Sequence, residues 1–156
     1  MEEKRIERTI TPDWLEVREI RQLVCDELSY LAPDIQDAAA MASAELLENA
    51  IKHGASIPSP LISYALVHSA REVRVETRNA VASEDVARAL REKIGRIAKC
   101  GDRQGLHVRR LEQMLADCNA RAKLGLLRVA FEAGFELRYS HANEFVTITA
   151  ARKPSS

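Results

Sequence analysis

Apolar positions recur along the chain in two rhythms, one of three and four residues and one of two, and their succession predicts a fold built from both helices and strands. Residues 5–10 interleave charged and branched side chains as a strand does. Thr11-Pro12-Asp13 supplies an N-cap with proline at the first helical position, and Trp14, Val17, Ile20, Val24 and Leu28 then share one helical stripe that Ala32-Pro33 ends. The stripe reads as core packing or, at Trp14, as a dimer interface. A second helix opens at Asp34 and runs to His53, with Gly54 just past its end. Alanine fills much of it and polar side chains are few, so most of its circumference is apolar, the mark of a buried central helix.

Pro58 and Pro60 break the chain before two β-rich runs, 61–69 and 73–77, which the short Ala70-Arg71-Glu72 link makes a hairpin. Ser83, Glu84 and Asp85 open a third helix with its stripe at Val86, Leu90, Ile94 and Ile97, closed by Cys100-Gly101-Asp102. Residues 106–116 read as a fourth helix and 124–133 as a short apolar one stopped by Gly134. Two alternating strands, 135–140 and 144–151, are joined through His141-Ala142-Asn143. The order β-α-α-β-β-α-α-α-β-β predicts an α+β fold, a two-layer sandwich with a mixed sheet covered by helices on one face.

Composition narrows this picture. A chain of 156 residues, 46% hydrophobic, suffices for one core, so residues 1–152 read as a single domain with 153–156 as a tail. Twenty-three basic residues balance 23 acidic ones, which gives nucleic-acid binding no support. Cys25, Cys100 and Cys118 include no closely spaced pair, so neither a zinc site nor a disulfide framework is expected, and His68 and His107 read as structural. The charged first residues carry no apolar run, which predicts a cytoplasmic protein with neither signal peptide nor membrane span.

The chemistry concentrates on the second helix. Glu45 and Asn49 lie four residues apart and project from one side, with Lys52 and His53 in the same arc. On a buried helix an unpaired amide costs about 1–3 kcal/mol. Either these groups satisfy one another internally or that stretch lines a cleft.

Glu45-Leu46-Leu47-Glu48-Asn49-Ala50-Ile51-Lys52-His53-Gly54 resembles the asparagine box of the GHKL (Bergerat-fold) superfamily of histidine-kinase-like ATPases, particularly its anti-sigma-factor serine kinases. Arg121-Ala122-Lys123-Leu124-Gly125-Leu126-Leu127 resembles what remains of that family's second glycine box. The resemblance, carried by element order over most of the chain, implies Glu45 as the catalytic group that activates a hydroxyl and Asn49 as the ligand of a magnesium bound to ATP. It implies Lys52, His53, Lys123 and Gly125 around the phosphates, and Arg78 and Asn79 near the base. The first strand and helix would be dimer elements, allowing a homodimer.

Where the family carries its adenine-reading D-x-G-x-G, this chain has Thr77-Arg78-Asn79-Ala80-Val81-Ala82. From Arg88 to Arg110 eight basic residues face only Glu92 and Asp102. An R-N dipeptide with a helical, glycine-poor lid is similar to serine/threonine kinases of biofilm partner-switching systems. The expectation is a partner-switching regulator that contacts an antagonist or sigma-like protein and phosphorylates it with Mg-ATP. The alternative is a nucleotide-free module of the same fold that acts by protein contact alone.

Overall fold

A computed structural model describes residues 2–54, 61–81, 83–101, 124–142 and 144–154, without the side chains of 53–54, 98–101 and 124. The chain runs β1 (Lys4–Ile10), α1 (Trp14–Glu27), α2 (Pro33–Gly54), β2 (Ile62–His68), β3 (Val73–Ala80), α3 (Glu84–Gly101), α4 (Leu124–Phe131), β4 (Glu136–Ala142) and β5 (Phe145–Arg152). The helix expected over 106–116 lies outside the described residues.

Among the described residues five strands form one sheet in the order β1-β2-β3-β5-β4, and every neighbouring pair is antiparallel. The expected mixed sheet is therefore corrected to an antiparallel one. The chain crosses from β3 to the far edge to form β4, and β5 returns between them antiparallel to both, so the crossover brings no parallel strands into direct pairing.

Strand alternation separates the two faces. Val73, Val75, Val146, Ile148 and Ala150 point into the core with Leu46, Leu47 and Ala50 of α2, while Arg74, Glu76 and Arg78 occupy the other face of β3. The α+β class and the one-sided helical cover follow. On the open face Ala65 and Val67 are nevertheless buried. Their cross-strand neighbours are Glu7 and Glu76 for Ala65, and Arg5 and Arg74 for Val67. Arg5 bonds Glu7 at 2.6 Å and reaches Glu76 at 3.4 Å, and Arg74 bonds Glu72 at 3.0 Å. Aliphatic stems can shield the strands there while their charges stay in water.

Local signals set the element ends. Asp13, not Thr11, caps α1: its carboxylate accepts from Leu15 N at 2.9 Å. Proline at position 12 consequently precedes the helix instead of opening it. The stripe of α1 buries Val17, Ile20, Val24 and Leu28, whereas Trp14 is 58% exposed at the helix start and is not core. That helix ends at Glu27, before Ala32-Pro33: Leu28 departs from helical geometry at φ −95° and ψ 17°, and the Leu31 amide bonds Leu28 O at 2.9 Å in a tight turn. Ser83 caps α3 through a 3.3 Å bond from Val86 N. After α4, Gly134 adopts φ 73°, a conformation that side chains disfavour, and the Phe135 amide reaches back to Val129 O at 3.0 Å.

Candidate functional site

α2 is the central helix, packed against α1, α4 and the inner face of β2 and β3. Its sheet-facing side is closed: the Ser43 hydroxyl, fully buried, meets the Tyr64 hydroxyl at 2.8 Å. Burial pushes that phenol up strongly, so it stays protonated and the pair is neutral. Further along β2, the buried His68 meets Tyr30 OH at 2.9 Å through Nδ1 and faces Glu27 at 3.4 Å through Nε2, in keeping with a structural histidine.

The side bearing Glu45 and Asn49 is different. The Glu45 carboxylate packs directly against Gly125 in the first turn of α4, where an added Cβ would collide with Oε2. Two segments eighty residues apart in sequence thus meet, and glycine is the residue that lets the helix approach so closely. Arg128, one turn further along α4, donates from Nη1 to Glu45 Oε1 at 3.1 Å and from Nε to Glu132 Oε2 at 2.7 Å.

Despite this cation the Glu45 carboxyl is held above its ordinary pKa. Burial is the largest cause and the Glu48 carboxylate the next, while Arg128 and Arg21 pull part of the way back. The outcome is a carboxylate with increased proton affinity that remains 16% exposed in its side chain. It can take a proton from a hydroxyl brought to that edge.

One turn after Glu45, Asn49 is half-buried and makes no side-chain hydrogen bond among the described residues. Its amide oxygen is the type of hard, neutral donor that magnesium accepts. Lys52 is exposed on the next turn. The His53 side chain and Lys123 lie outside what is described. Asn79 is buried on the helix-facing side of β3, donating Nδ2 to Ala80 O at 3.1 Å. Two residues before it, the buried Thr77 hydroxyl has no partner among the described residues. Arg78 points the other way: it is exposed on the open face, its guanidinium 4.4 Å from the centre of the Phe145 ring. The structure therefore brings Glu45 and Gly125 together, sets Asn49 one turn away and puts Asn79 on the same side of the sheet, and leaves Arg78 out.

Arg128, Arg21 and Glu48 act on this site without having been anticipated from the sequence. The Arg128-x-x-x-Glu132 spacing marks a helical ion pair, but nothing local in the sequence ties it to Glu45. For Mg-ATP the donor set is suitable at the metal end, through the Asn49 amide, which has no hydrogen bond among the described residues, and the glycine-bearing start of α4. At the base end an amide and an orphaned hydroxyl stand in place of an acid. No group of three metal-ligating His, Cys, Asp or Glu side chains occurs among the described residues. No helix among them is long and apolar enough to cross a membrane.

No family model matches the sequence, and no curated protein matches it.

Proposed function

We propose that this chain is a cytoplasmic regulator of the GHKL type and partner-switching kind, which binds Mg-ATP against α2 and phosphorylates a serine or threonine of a protein partner. The observation that carries this reading is the contact of Glu45 with Gly125 of α4, one turn from an Asn49 whose amide has no hydrogen bond among the described residues. Bound Mg-ATP would supply the transferable phosphoryl group. Asn49 would hold the metal through its amide oxygen, and Lys52 and Lys123 would offset phosphate charge as point contacts. Glu45 would accept the proton of the incoming hydroxyl, a task suited by a carboxyl whose proton affinity burial has raised. Arg128 would keep that carboxylate in place.

A second reading, a module acting by protein contact alone, is favoured by the lack of an acid or glycine from Thr77 to Ala80 and by the charge balance Arg128 already gives Glu45. Calorimetric titration with a non-hydrolysable ATP analogue and Mg²⁺, on the protein and on Asn49→Ala, separates the two. Saturable binding that Asn49→Ala abolishes supports the kinase. The absence of heat at millimolar nucleotide leaves the contact module.

A further inference from the structure

At the sheet edge far from β1, α3 and β4 enclose a groove of about 470 Å³ lined by Glu84, Ala87, Arg88 and Arg91 of α3, with Glu84 at its helix-start end, and by Tyr139, Ser140 and His141 of β4. Its walls are fixed with respect to each other, because Tyr139 OH donates to Ala87 O at 2.9 Å. β4 pairs with β5 on one side and, among the described residues, with no strand on the other. Among the described residues that edge leaves its outward backbone donors and acceptors without a strand partner.

Charge and shape on the helical wall agree about what would fit. Arg91 has no ion pair among the described residues, and Arg88 reaches only Asp85, at 4.0 Å. In a chain whose total charge is zero, α3 carries five basic residues against Glu84, Asp85 and Glu92, so the helical wall as a whole is positive while Glu84 is the one acid among the described residues that lines the groove. Glu84, Arg88, Arg91 and Gly95 follow at spacings of four, three and four, so they share one face. Gly95 has nothing within 4 Å of where a Cβ would stand. A mid-helix glycine weakens a helix relative to alanine, and no contact among the described residues requires this one. It leaves bare backbone on the face that carries the two arginines, the condition for close approach by another chain.

We propose that this groove receives an extended, acidic peptide segment of the protein partner, which adds a strand to the β4 edge and sets its carboxylates against Arg88 and Arg91. Main-chain bonds to the edge supply affinity irrespective of sequence, and the arginines select for acidic side chains. The inference rests on the regulatory reading only in expecting a protein partner. It makes no use of nucleotide.

The test is fluorescence anisotropy, without nucleotide, of a labelled peptide of alternating threonine and glutamate. Two further peptides are compared, one with lysine for glutamate and one N-methylated at every second amide. Saturable binding of the acidic peptide is expected, weakened roughly tenfold or more in Arg88→Glu/Arg91→Glu, as for loss of close charge pairs. The lysine peptide and the N-methylated one should not bind, and amide exchange in β4 should slow when the acidic peptide is present. Equal binding of the N-methylated peptide, full competition by inorganic phosphate or an oligonucleotide, unchanged affinity in the double variant, or no saturation at millimolar peptide would overturn the proposal. The N-methylated peptide keeps the test independent of whether the double variant folds. Any of these failures leaves the nucleotide titration of Asn49→Ala unaffected, so the two readings fail separately.

Discussion

Ser43 and Glu45 stand two residues apart on α2, and their surroundings are opposite in kind. Ser43 faces the sheet, fully buried, in a neutral bond with Tyr64. Glu45 faces α4, charged and partly open, held by Arg128 and by the glycine beneath it. A buried neutral pair loses much when half of it is removed, because the remaining hydroxyl has no water to turn to. A partly exposed ion pair loses little, since solvent screens it. The first pair ties α2 to the sheet from within, and the second leaves a carboxylate partly open to solvent.

The sharpest way to break this comparison is Tyr64→Phe, which should cost about 1–3 kcal/mol in urea unfolding by stranding the Ser43 hydroxyl. Ser43→Ala combined with Tyr64→Phe should cost less than the sum of the two single changes. A single-variant cost near zero would mean that Ser43 satisfies itself on the carbonyl of Ala39, and the bond to Tyr64 would then not be what orients the helix.

A second test concerns Gly125. Alanine in a helix is favoured over glycine by up to about 1 kcal/mol, but at this position its Cβ would strike the Glu45 carboxylate. Gly125→Ala alone should therefore gain little, because the carboxylate must swing away from Arg128. In a Glu45→Ala background the same change should gain most of that amount. Coupling of at least about 0.5 kcal/mol between the two positions, read from urea midpoints, checks the contact; simple additivity would refute it.

Much of the fold could be read from the chain because its signals are local. The Val17, Ile20, Val24 stripe, the Ser83 cap and the alternation of Phe135, Leu137 and Tyr139 each lie within one element. Strand direction was not local: whether the sheet was mixed depended on β3 pairing with β5, residues some seventy positions apart. The site divides in the same way. Glu45 and Asn49 were singled out by their four-residue spacing and Gly125 by a family resemblance, whereas Arg128 could be linked to Glu45 only once α2 and α4 were side by side. Arg78 shows the converse, since neighbours in a strand point to opposite faces, and a dipeptide motif cannot place both of its members in one cleft.

Gly95 extends the comparison to a second helical glycine, this one without a contact. Gly95→Ala should raise stability by about 0.4–1 kcal/mol, visible as a higher urea midpoint with unchanged slope. Because the added methyl would stand on the face of Arg88 and Arg91, the same variant should bind the threonine–glutamate peptide less tightly. A stabilised variant with undiminished peptide binding would separate Gly95 from that groove.

The smallest expected effect is on the titration of Glu45, and its sign follows from the causes of the shift. Burial and Glu48 hold the folded carboxyl above its unfolded pKa, so folding favours the protonated form. The contribution of Glu45 to stability is complete below the unfolded carboxylate range and is lost as pH rises through the folded pKa. Glu45→Gln lacks this loss, so its stability relative to the parent should be greater at pH 7 than at pH 4. By NMR, the Glu45 carboxyl should titrate above an ordinary glutamate. It should move higher in Arg128→Ala, which removes a cation that lowers it, and lower in Glu48→Gln, which removes a carboxylate that raises it. A fall on removing Arg128 would mean that its guanidinium, 3.1 Å from Oε1, acts mainly by covering the carboxylate from water, and the open side of α2 would then be more like the closed one.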